Sequence, residues 1–81
     1  MKIYWSGDSK NIIGKKVRTL RKAQGMTQKA LATKIQLAGY DFNDLTILRI
    51  ENGTRFVADY EVKVLANVLN VSYEELLENN E

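Results

Sequence analysis

Gly25-Met26-Thr27-Gln28-Lys29-Ala30-Leu31-Ala32, and after an interval Thr46-Ile47-Leu48-Arg49-Ile50-Glu51-Asn52-Gly53, is the pair of segments that decides the fold. In the first, Thr27 is a good N-cap, because its hydroxyl can accept one of the orphan backbone N–H groups of a helix's first turn. Ala30, Leu31, Ala32 and Ile35 then supply one apolar side, with Leu37 or Ala38 as an extension and Gly39 as the stop. In the second, Asn43 serves as N-cap and a helix over 44–52 buries Ile47 and Ile50, three residues apart, before Gly53 ends it. The reading is of two short helices joined by a turn.

Working outward, a helix over about 11–24 precedes this pair. Ile13, Val17 and Leu20 fall at i, i+4 and i+7, a single apolar stripe, while Lys15, Lys16, Arg18 and Lys22 face mostly outward. After the loop Thr54–Ala58, a fourth helix begins near Asp59, carries Val62, Leu65, Ala66 and Leu69 on one face and closes at Asn70. Ser72-Tyr73-Glu74-Glu75 is a capping box, with Ser at the N-cap and Glu at the third helical position, and it opens a short fifth helix with Leu76 and Leu77. The expected organisation is an N-terminal arm or strand over 1–10, one all-α domain of five helices over 11–77 and a frayed tail over 78–81. Ile3, Tyr4 and Trp5 stand together in the arm, which either packs on the domain or reaches a partner.

Eighty-one residues allow one domain with a modest core, leaving little for a deep catalytic cavity. There is no cysteine and no histidine, which removes disulfides, thiolate chemistry, Cys/His zinc sites and the commonest general base. No nucleophile–base pair or glycine-rich phosphate loop stands in their place, so the expectation is a protein without cofactor or metal that is not an enzyme. The short apolar runs and unremarkable N-terminus predict neither a membrane span nor a secretion signal, and a cytoplasmic location follows as the expectation. The net charge of +2 conceals a division: residues 1–40 hold nine Lys/Arg against Asp8 alone, whereas residues 41–81 hold three against nine Asp/Glu. A basic half beside an acidic half points to one face that seeks an anion.

Ile13-Gly14-Lys15-Lys16-Val17-Arg18-Thr19-Leu20-Arg21, the two quoted segments and Leu65-Ala66-Asn67-Val68-Leu69-Asn70-Val71-Ser72-Tyr73-Glu74-Glu75-Leu76, in that order, resemble the XRE family of helix-turn-helix transcriptional regulators, the lambda-repressor/Cro-like group. The resemblance covers about residues 11–77. It implies a lambda-repressor-like domain whose third helix lies in the major groove of double-stranded DNA while the second crosses the backbone. It also places Asp44, Leu45 and Arg49 at base-reading positions: Arg49 for a bidentate contact to guanine, Leu45 for a thymine methyl. Asp44 is the awkward member, able to accept from a cytosine amino group or simply to complement the helix dipole. Gln28, Lys29, Lys34, Asn43 and Arg55 are the expected phosphate-positioning residues. Arg21 and Glu51 match an ion pair that pins the recognition helix to the scaffold.

The chain departs from the family between Ala32 and Thr46, where it is longer than the commonest spacing and the usual turn is ~3–4 residues. The expected consequence is a lengthened turn between the second and third helices, with Tyr40 and Phe42 anchoring it to the core. The resemblance implies a repressor-like, sequence-specific regulator acting as a homodimer through the fifth helix or the N-terminal arm. The alternative is a protein-interaction module, such as an antitoxin or a regulator's partner, that reuses the fold.

Overall fold

A computed structural model describes residues 9–78; the Ile3-Tyr4-Trp5 segment and the end of the tail lie outside the described residues. Five helices follow one another: α1 (Gly14–Ala23), α2 (Gln28–Leu37), α3 (Asp44–Glu51), α4 (Asp59–Leu69) and α5 (Tyr73–Leu77), with no strand among the described residues. The molecule is all-α, the lambda-repressor-like arrangement that the two quoted segments imply.

The helix starts follow from capping chemistry. Thr27 accepts from the Ala30 backbone N–H at 3.0 Å and Ser72 from that of Glu75 at 2.9 Å. At α3 the cap is reciprocal: the Asn43 side chain accepts from the Thr46 N–H at 2.9 Å, and the Thr46 hydroxyl accepts from the Asn43 N–H. The first helix begins later than its apolar stripe implies, at Gly14 rather than Asn11. The reason is that the Asn11 side chain turns back as a cap, its Oδ1 accepting from Gly14 N at 2.8 Å and Ile13 N at 3.2 Å.

The α2 terminus shows how the chain absorbs its extra residues. Tyr40 N donates to Ile35 O and Gly39 N to Gln36 O, the paired bonds of a Schellman close, with Gly39 at φ 100°. Phe42 is then buried in the core, the Gln36 amide donates to the Phe42 carbonyl, and Tyr40 stacks on Tyr60 with centroids 6.3 Å apart. The lengthened turn, residues 38–43, is thereby nailed down at both ends, with its aromatics inward as expected.

One apolar cluster holds all five helices. Ile13 and Val17 of the first segment, Leu31, Ala32 and Ile35 of α2, Ile47 and Ile50 of α3, Val62, Leu65, Ala66 and Leu69 of α4 and Leu76 of α5 are all buried, joined by Phe42. α3 packs on both α1 and α2, so the third helix rests on the first as well as on its partner in the quoted pair. Each fully buried Val, Leu, Ile or Phe side chain of the cluster contributes about 1.5–3 kcal/mol.

Candidate nucleic-acid interface

The burial of Ile47 and Ile50 forces the opposite side of α3 into solvent. Asp44, Leu45, Leu48 and Arg49 fall at i, i+1, i+4 and i+5, one outward face of a 3.6-residue helix, and all four are exposed. Leu45 and Leu48 remain 45% and 41% exposed, an apolar pair bracketed by a carboxylate and a guanidinium. The Arg49 side chain makes no hydrogen bond or ion pair among the described residues, so its donors are free for an external acceptor. Asp44 Oδ1 accepts from the Leu45 N–H at 3.0 Å, in the first turn where a negative charge complements the helix dipole. Leu48 joins the expected base-reading positions Asp44, Leu45 and Arg49 on this surface.

The orientation of this face is held by a buried network at the C-terminal end of α3. Arg21 Nε donates to Glu51 Oε2 at 2.6 Å and Nη2 to Glu51 Oε1 at 3.0 Å, a bidentate pair whose side chains are 9% and 4% exposed. A third donor, Nη1, reaches the Met26 carbonyl at 2.8 Å in the link between α1 and α2. Hydrogen bonding to Glu51 raises the Arg21 pKa above its ordinary value; burial opposes this and the Glu51 charge adds to it, so the guanidinium is permanently charged. Gln28 Nε2 also donates to Glu51 Oε1, at 3.2 Å. A carboxylate only accepts, so Glu51 dictates that the amide nitrogen of Gln28 faces inward, with one N–H left over.

Below α3, residues 9–11 run beside the turn after it. Lys10 N donates to Gly53 O at 2.7 Å, and Asn11 Nδ2 donates to the carbonyls of Ile50 at 3.1 Å and Arg55 at 2.9 Å. Asn11 thus saturates its whole amide, two bonds donated and two accepted, while joining α1 to α3 and the loop beyond. Its only trace in the sequence is an Asx residue shortly before a helix.

Arg55 has a task beyond the one expected of it. Its Nη1 and Nη2 pair with Glu61 Oε1 and Oε2 at 3.0 and 3.1 Å, Nη1 also donates to the Phe56 carbonyl at 3.0 Å, and the guanidinium lies 5.3 Å from the Phe42 ring centroid. Glu61 in turn accepts from the Ala58 N–H at 3.0 Å, capping α4. The pair ties the loop after α3 to α4 and to the lengthened turn. With three of five guanidinium N–H groups used, two remain.

The remaining positions do not converge. Lys29, in the first turn of α2, is exposed and lies near Gln28. Lys34 is five residues on, about 140° around the helix from Lys29, and sits in the last turn of α2, where a cation complements the carbonyl end. Asn43 spends its side-chain oxygen on the α3 cap and keeps its amide N–H groups.

A protein-family profile described as Helix-turn-helix matches residues 17–76, from one buried core residue to another. The chain belongs to this family, the XRE-type helix-turn-helix regulators, whose members bind DNA and are typically not enzymes. No curated protein and no solved structure matches it. No helix among the described residues is long and apolar enough to cross a membrane.

Proposed function

We propose that this chain is a sequence-specific, repressor-like regulator in the cytoplasm that sets α3 into the major groove of double-stranded DNA. The observation that carries the reading is the outward face of α3: a free guanidinium and two exposed leucines on a helix locked at both ends. Arg49 reads guanine, Leu45 and Leu48 meet thymine methyl groups, and Asp44 serves the helix dipole ahead of any base. Gln28, Lys29, Asn43 and the two spare donors of Arg55 lie on backbone phosphates; Lys34, about 140° around α2 from Lys29, faces another side of that helix. The regulator acts as a homodimer on a two-fold site, with half-sites about one helical turn apart.

Fluorescence anisotropy with random duplex DNA at two salt concentrations tests the reading. Affinity should fall steeply with salt, since each phosphate neutralised releases counterions. Arg49→Ala should lower affinity for a selected operator by about 1–3 kcal/mol while leaving random-duplex binding little changed. Absence of binding at low salt overturns the proposal and leaves the protein-interaction module as the reading to pursue.

A further inference from the structure

The charge division of the sequence becomes two surfaces in the fold. Along α1, Lys15, Arg18 and Lys22 stand at i, i+3 and i+7, all exposed, and their side chains make no hydrogen bond or ion pair among the described residues. At the other end of the chain, α5 and its flanks line a shallow open groove of ≈ 640 Å³. Tyr73 and Leu77 are the apolar part of its lining; Glu74, Glu75 and Glu78 are the acidic part. These three carboxylates are exposed and have no cationic partner among the described residues either.

Gln24, at the end of α1, donates from Nε2 to the Leu69 carbonyl at 2.7 Å, which sets the C-terminal end of α1 beside the turn that leads into α5. Two complementary patches on one molecule allow an isologous contact, in which patch one meets patch two of a second copy and the reverse contact forms at the same time. Direct stacking of α5 on its own copy instead brings Glu74, Glu75 and Glu78 against the same three charges, and like charges in juxtaposition cost several kcal/mol.

We infer that the α5 groove is occupied by α1 of a second copy of this chain, in a two-fold dimer with reciprocal α1–α5 contacts. Leu77 and Tyr73 supply the apolar centre, and the Lys15/Arg18/Lys22 stripe closes over the carboxylates. The inference deepens the homodimer named above and rests on it, and it assigns the dimer contact to two surfaces rather than to α5 alone.

Charge reversal in both patches tests it, by sedimentation velocity without DNA, with thermal melts to verify that each variant is folded. The wild-type chain should dimerise, more weakly as salt rises. Glu74→Lys/Glu78→Lys and Lys15→Glu/Arg18→Glu should each dissociate, with Kd raised about tenfold or more. An equimolar mixture of the two variants should dimerise again, because both reciprocal contacts regain opposite charges, and so should the chain carrying all four changes. A monomeric wild type, or a mixture that stays monomeric, overturns the inference. Duplexes carrying a single half-site separate this from the DNA reading. Binding of one half-site by a monomeric protein leaves that reading standing while the dimer fails, whereas a dimer that binds no duplex does the reverse.

Discussion

Arg21 shows how a charge inside a small domain is put to structural use. Its guanidinium is almost wholly buried and gives one donor to a carbonyl and two to Glu51. Removing one partner of such a pair costs about 3–5 kcal/mol, because the other charge is left stranded. Arg21→Ala should therefore lower Tm by more than about 10 °C, at roughly 4–8 °C per kcal/mol for a domain of this size. DNA affinity should fall with the folded fraction. A variant that melts like the parent yet binds DNA poorly would instead make Arg21 a contact residue. Gln28 is held by the same carboxylate, so truncation of Glu51 disturbs two elements at once.

At the scale of elements, the crossing of α1 over the end of α3 is set by Gly14. A Cβ there would lie 2.4 Å from the Ile50 carbonyl oxygen and 3.0 Å from that of Glu51, both backbone atoms that cannot rotate away. The helices touch backbone to backbone, and Asn11 closes the same joint with its four hydrogen bonds. Gly14→Ala would gain helix propensity in isolation. In the fold it must push α1 off α3, and overpacking of this kind costs about 1–3 kcal/mol or more. Its denaturant midpoint should drop accordingly, and the outward face of α3 should lose affinity as its angle changes; an unchanged midpoint would mean the joint yields freely. The lengthened turn behaves as an element too, since Phe42 in the core and the Tyr40–Tyr60 stack fix where α3 begins.

For the whole molecule, stability against acid is tied to Glu61. Burial acts to raise its pKa, but the hydrogen bond from Arg55, that from the Ala58 N–H and the Arg55 charge outweigh this, and the carboxyl sits below its ordinary value. A group with a lower pKa folded than unfolded stabilises the fold above its unfolded value. That contribution fades as pH falls through the ordinary Glu value of ~4.3 and is gone below the native one. The native protein should lose stability across that acid window in pH-dependent melts. Glu61→Gln should be less stable at neutral pH and show a flatter profile there. A parallel loss in both proteins would assign the acid sensitivity to other carboxylates.

Periodicity and punctuation alone determine a great deal here. The apolar residues Ile13/Val17, Leu31/Ala32/Ile35, Ile47/Ile50, Val62/Leu65/Ala66/Leu69 and Leu76 commit five helices to one core, and Thr27, Asn43 and Ser72 announce three of their starts, because capping depends only on near neighbours in the chain. The order of four segments between Ile13 and Leu76 also carries the family, whose profile matches residues 17–76. What depends on residues far apart in sequence was decided by the tertiary structure. Asn11 reads as the start of a helix until Ile50 and Arg55 supply acceptors 39 and 44 residues away. Arg55 reads as a free loop cation until α4 brings Glu61 beneath it, and the burial of Ile47 and Ile50 leaves Leu48 exposed beside Leu45 and Arg49. Local sequence determines which helices form and where they start; which groups remain free to meet DNA is set by the partners that packing supplies, since a donor already satisfied across the fold has less to offer outside it.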